Sequence, residues 1–119
     1  MQKENLQSKT IRVAIIEDER DLREGLRSLI NFTPNFECVG DFRSMEDALR
    51  RIDINQTNLV LTDIGLPNMN GIEGTRILRE KFPELSIIVL TVHDEDDKIF
   101  QALCAGQMVI CLKIHRQMR

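Results

Sequence analysis

The sequence lacks most of the features that mark specialised proteins. No apolar run approaches the roughly 20 residues of a membrane span, and residues 1–9 are polar, without the apolar stretch of a secretory signal. A cytoplasmic chain with no membrane partner is therefore expected. There is no basic excess either: 16 Lys and Arg stand against 19 Asp and Glu, a net charge of −3. Binding of nucleic acid by this chain is not expected, because phosphate backbones reward a basic patch. The three cysteines, Cys38, Cys104 and Cys111, are odd in number and show no C-x-x-C spacing. They fit reduced thiols used as small packing groups rather than a metal or redox site. No glycine-rich loop follows the first apolar run, which weighs against a flavin or dinucleotide binder. Internal repeats and low-complexity segments are absent as well.

What is present is alternation. The 119 residues are enough for one domain with one core, and 42% hydrophobic with 29% charged is an ordinary globular balance. Ile11-Arg-Val-Ala-Ile-Ile16 is a short β-branched run and reads as a strand. Over residues 19–32, Leu22, Leu26, Leu29 and Ile30 recur at helical spacing, and Thr33-Pro34-Asn35 ends the helix. Residues 36–42 form a second, shorter strand. Ser44 caps a helix to about Ile52, with Met45, Ala48, Leu49 and Ile52 inward. Strands follow at 59–62 and 86–91, separated by a loop at 65–71 and a helix at 72–82. A further helix at 94–105, stopped by Gly106, leads to a last apolar run at 108–112. Continuous apolar strands alternating with helices imply a parallel sheet covered on both faces, an α/β doubly wound fold. In such sheets the site lies at the carboxyl ends of the strands.

Those ends carry polar groups. The first strand runs into Glu17 and Asp18, the third into Asp63, the fourth into Thr91, the fifth into Lys113. Taken singly, each has an ordinary explanation: Asp18 caps a helix, Glu17 is solvated, Asp63 makes an Asx turn, Thr91 ends a strand, Lys113 is a surface charge. Taken together, they are three carboxylates, a hydroxyl and an ammonium at one edge of one sheet. Crowded carboxylates repel, and a hard cation such as Mg²⁺ relieves the repulsion. Beside it a carboxylate can accept a phosphoryl group, with lysine and threonine on the remaining oxygens. His93 reads as a loop residue facing solvent.

The segments Ala14-Ile-Ile-Glu-Asp-Glu19, Leu61-Thr-Asp-Ile-Gly-Leu-Pro-Asn-Met-Asn-Gly71 and Ile88-Val-Leu-Thr91 closely resemble the receiver domains of two-component response regulators. The wording around Asp63 is most similar to regulators of the LuxR type (NarL/FixJ-like). The resemblance covers about residues 10–106. It implies a five-stranded sheet of order 2-1-3-4-5, flavodoxin-like, and a phosphoryl group taken by Asp63 from a sensor histidine kinase. It further implies Mg²⁺ held by Asp18, Asp63 and the backbone carbonyl of Gly65, with Glu17 assisting. Thr91 would turn toward the phosphoryl group and Lys113 would pair with it. A receiver acts only on its own phosphorylation and dephosphorylation, so it is not an enzyme in the usual sense. Its parent protein would regulate transcription within a phosphorelay.

The family pattern breaks after Gly106. A Gly followed by Tyr or Phe is expected where Val109 and Ile110 stand, and only six residues follow Lys113, too few for a full fifth helix. The domain organisation expected is thus a polar tail at 1–9, a receiver at 10–113, a short aberrant tail at 114–119, and no effector domain. One permitted back-translation from Gln107, re-read in the neighbouring frame, restores the usual Gly-Tyr and a proline after the lysine. The encoding DNA tests this directly. Loss of the fifth helix would expose apolar surface, so low stability or a homodimer covering that surface is expected. The competing reading is a pseudo-receiver, a protein-interaction module that takes no phosphoryl group. A Mg²⁺-dependent phosphatase is weaker, because Asp63-Ile64-Gly65 lacks the second acid of an Asp-x-Asp pair.

Overall fold

In a computed structural model, the described residues are 9–66, 69, 71–91 and 109–113. They form an α/β fold built on a parallel sheet. Strands β1 (Ile11–Ile16), β2 (Phe36–Phe42), β3 (Leu59–Asp63) and β4 (Ser86–Thr91) lie in the order β2-β1-β3-β4. Helices α1 (Arg20–Phe32), α2 (Met45–Arg51) and α3 (Gly71–Lys81) connect them, with one 3₁₀ turn at Ile54–Gln56. A further extended segment, β5 (Val109–Lys113), runs parallel beside β4, with Lys113 opposite Thr91. The expected helix at 94–105, His93, Cys104 and the tail at 114–119 lie outside the described residues.

The apolar runs become strands because both of their faces are covered. Ala14, Ile16, Val60, Ile87 and Val89 form a core with Met45 and Ala48 of α2 and Leu78 of α3. Val13 and Ile15 are also buried but stand outside that cluster, on the opposite face, where α1 packs over β1 and β2. Burial of a large aliphatic side chain is worth about 1.5–3 kcal/mol, so this core is what makes the sheet.

Each turn has a local cause. Ser44 accepts a hydrogen bond from the Asp47 N–H and starts α2, as expected from the sequence. Asn35, at φ 72°, takes the left-handed conformation that asparagine tolerates, and its carbonyl accepts from the Ile11 N–H at 2.9 Å. That bond joins the turn after α1 to the start of β1. A register shift between Val13 and Ala14 leaves Val39 of β2 without a partner and sets Gly40 opposite Ala14.

One expectation is corrected on α1. Leu22, Leu26 and Ile30 are half-buried, but Leu29 is 63% exposed, and so is Phe32 at 86%. The helix is amphipathic, yet no residue of it is fully buried. Periodicity located its apolar stripe. It did not fix how much of that stripe is covered.

Candidate functional site

The chain crosses from one half of the sheet to the other between β1 and β3, and crevices form at such a switch. Glu17 and Asp18 leave the carboxyl end of β1, and Asp63 ends β3. The register sets Ile16 opposite Thr62, so these acids emerge side by side. Their carboxylate atoms all lie within 4.8 Å of one another, a grouping that could hold a metal ion.

The three differ in surroundings. Glu17 is only 3% exposed, Asp63 is half-buried and Asp18 is exposed. Glu17 is fixed at its backbone by its N–H donating to the Phe42 carbonyl at 2.9 Å, and by Arg23 Nη1 donating to its own carbonyl at 2.9 Å. Its side chain accepts from the Glu19 N–H at 2.9 Å. Burial pushes its carboxyl up from 4.5 to about 7; the Glu19 N–H opposes this, and Asp63 and Asp18 add to it by like-charge repulsion. A buried acid beside two others is a site that gains from a cation. Three hard oxygen donors with solvent access on the Asp18 side fit Mg²⁺, which keeps some of its water.

Asp18 does not cap α1: the N-cap is Glu19, whose side chain makes no capping bond. Asp63, in contrast, does make the turn that its ordinary reading anticipated, Oδ1 accepting from the Gly65 N–H at 3.2 Å. That turn also brings the exposed Gly65 next to the acids in sequence and space. The Ile64 N–H donates to the Leu90 carbonyl at 3.0 Å, which ties the start of this loop to β4. Thr91 and Lys113 are opposed in register at the same sheet edge, as backbone positions.

Two residues near the site were not singled out from sequence. Arg23 reaches back from the first turns of α1 to the Glu17 carbonyl. Glu46 reaches from α2 to the Met69 N–H, with Oε2 at 3.1 Å. A separation of 23 positions leaves no pattern in a single sequence that could reveal the second contact.

Comparison with known proteins agrees with this arrangement. The family model for the response regulator receiver domain matches residues 13–118, continuing past Gly106. The transcriptional regulatory protein DegU of Brevibacillus brevis is 31% identical over 110 residues, covering 92% of this chain and 47% of that protein. The DNA-binding transcriptional activator DevR/DosR of Mycobacterium tuberculosis is 30% identical over 96 residues, covering 81% and 44%. Among solved structures, a LuxR-family two-component response regulator from Aurantimonas sp. SI85-9A1 superposes with a TM-score of 0.75 at 28% identity, covering 88% of this chain and 74% of that one. The chain thus spans about half the length of the curated relatives it matches. With its parallel sheet, its acids at the switch point and a family match over residues 13–118, the chain belongs to the response regulator receiver domains, among relatives of the LuxR type.

Proposed function

We propose that this chain is a Mg²⁺-dependent phosphoacceptor, taking a phosphoryl group from a sensor histidine kinase onto Asp63. The observation that carries the reading is the convergence of Glu17, Asp18 and Asp63 within 4.8 Å. Asp18, Asp63 and the backbone carbonyl of Gly65 would hold the ion, with Glu17 behind them. The bound ion supplies positive charge that offsets the phosphoryl oxygens. A carboxylate oxygen of Asp63 attacks phosphorus, and the bond from phosphorus to the donor imidazole nitrogen breaks. The electron pair stays on that nitrogen, leaving an acyl phosphate on Asp63. Water later cleaves it to inorganic phosphate and the free carboxylate. The Thr91 hydroxyl donates to one phosphoryl oxygen and the Lys113 ammonium pairs with another, from the ends of β4 and β5. This assignment takes the receiver sheet as five-stranded, in the order 2-1-3-4-5. The chain then catalyses nothing beyond its own phosphorylation and dephosphorylation. The parent protein is a cytoplasmic transcriptional regulator that binds DNA, and a homodimer of this chain, covering the apolar surface that a short fifth helix leaves, is its expected assembly.

The test is intact-mass analysis after incubation with Mg²⁺ and acetyl phosphate, beside an Asp63→Ala control. The expected outcome is a gain of one phosphoryl mass in the wild type and none in the control. A folded wild-type chain that gains no mass overturns the proposal in favour of a pseudo-receiver acting as an interaction module.

A further inference from the structure

The loop between β3 and α3 carries Gly65, two residues past Asp63 at the end of β3. Its near end is well fixed. Ile64 and Leu66 are buried, the Ile64 N–H is bonded to β4, and the Gly65 N–H is bonded to Asp63. Its far end is held at Met69, whose side chain packs on the core and whose N–H donates to Glu46 Oε2 at 3.1 Å. Glu46 stands on a firm base, because its neighbour Met45 and the next turn's Ala48 are both fully buried and Ser44 caps the helix.

The carboxylate of Glu46 is not placed as a surface charge would be. Its Oε1 is shielded from solvent and has no hydrogen-bond partner. Two arginines of the same helix do not pair with it: Arg50 and Arg51 both bond Asp47, at 3.0 and 2.8 Å. A solvated glutamate would turn both oxygens to water. Here one oxygen forgoes hydration while the other makes a charge-assisted bond to a backbone N–H, one of the stronger kinds of hydrogen bond.

We infer that Glu46 is a positioning residue for the phosphoacceptor loop, holding its far end at Met69 so that the Gly65 carbonyl stays in place beside Asp63, Asp18 and Glu17. The inference rests on the Mg²⁺-dependent reading above in naming what the loop is held for. It is tested on the whole chain by nuclear magnetic resonance, with wild type, Glu46→Ala and Glu46→Gln. Three quantities are followed: metal-free exchange of the Met69 amide, the Mg²⁺ dissociation constant from the Gly65 amide shift, and the urea midpoint. Loss of one charge-assisted bond predicts that Glu46→Ala exchanges the Met69 amide about tenfold faster and binds Mg²⁺ about tenfold more weakly. The urea midpoint should move little, and Glu46→Gln, which keeps an acceptor oxygen, should recover part of both losses. Exchange and Mg²⁺ affinity both within about twofold of wild type, in a folded Glu46→Ala chain, overturn the inference. If that variant does not fold, Glu46→Leu, which keeps the bulk and lacks an acceptor, decides it by the same two quantities. A wild-type chain with no Mg²⁺-dependent shift at Gly65 overturns the functional reading instead. The tether then stands or falls on the Met69 exchange rate alone.

Discussion

At the residue scale, Glu17 joins stability to the site's chemistry. Its folded-state carboxyl sits at about 7, against an ordinary value of 4.5. Between those values Glu17 holds its proton more fully in the folded chain than in the unfolded one, so its contribution to metal-free stability is fully present below about 4.5 and is lost as pH rises to about 7. The span is at most about 3–4 kcal/mol, since each pH unit is worth about 1.4 kcal/mol. Urea midpoints measured in chelator across this range should therefore decline, and Glu17→Gln should flatten the decline. A Glu17→Gln chain whose midpoint changes with pH as the wild type's does would contradict the account, because Glu17 would then contribute nothing to the slope. Mg²⁺ favours the ionised form and should also flatten the curve.

At the element scale, the contact between α2 and α3 depends on the absence of a side chain. Gly74 is buried, and a Cβ built there would collide with the side chain of Met45, which has no exposed surface. Alanine in place of glycine normally strengthens a helix by about 1 kcal/mol. Overpacking a filled core costs about 1–3 kcal/mol, so the balance should be unfavourable here. Gly74→Ala is expected to lower the stability by about 1 kcal/mol. In a Met45→Ala background the penalty should vanish and the ordinary helix gain should reappear. Chemical denaturation of the four proteins in this cycle measures both effects. Equal penalties in both backgrounds would place the strain somewhere other than Met45. Because α2 carries Glu46 and α3 follows the Asp63 loop, the same contact sets the distance that the Glu46 tether spans.

At the scale of the whole molecule, the three carboxylates destabilise the metal-free fold through their mutual repulsion, and an ion that binds only the folded chain reverses this. Mg²⁺ at about 100 times its dissociation constant should stabilise by about 2.7 kcal/mol. For a domain of this size that corresponds to a rise in Tm on the order of 10 °C. Scanning calorimetry in Mg²⁺ and in chelator should show the difference. Asp18→Asn should raise the Tm in chelator by removing one like charge, and should abolish most of the response to Mg²⁺. An Asp18→Asn chain that responds as the wild type does would remove Asp18 from the ion's ligands. No helix among the described residues is long and apolar enough to cross a membrane.

Much of this was legible before any coordinates. The runs at 11–16, 59–62 and 86–91 became strands where expected, because a continuous β-branched run of that length has few stable alternatives once both of its faces are buried. Ser44 could be read as a cap because its bond is local, three residues along the chain. The acids could be read as one site because parallel strands joined by helices place successive strand ends at one edge. What the sequence left open depends on contacts between distant segments. The coverage of Leu29 and Phe32 is decided by what packs on α1, not by their spacing along it. The raised carboxyl of Glu17 follows from burial beneath neighbouring elements and from Asp63, far along the chain. Arg23 on the Glu17 carbonyl and Glu46 on the Met69 N–H are set by how the helices dock. Chain periodicity and strand-end chemistry thus determined the architecture and the identity of the acids. Tertiary packing alone decided the protonation of Glu17 and what holds the loop around the acids, because burial and long-range hydrogen bonds exist only once the chain has folded.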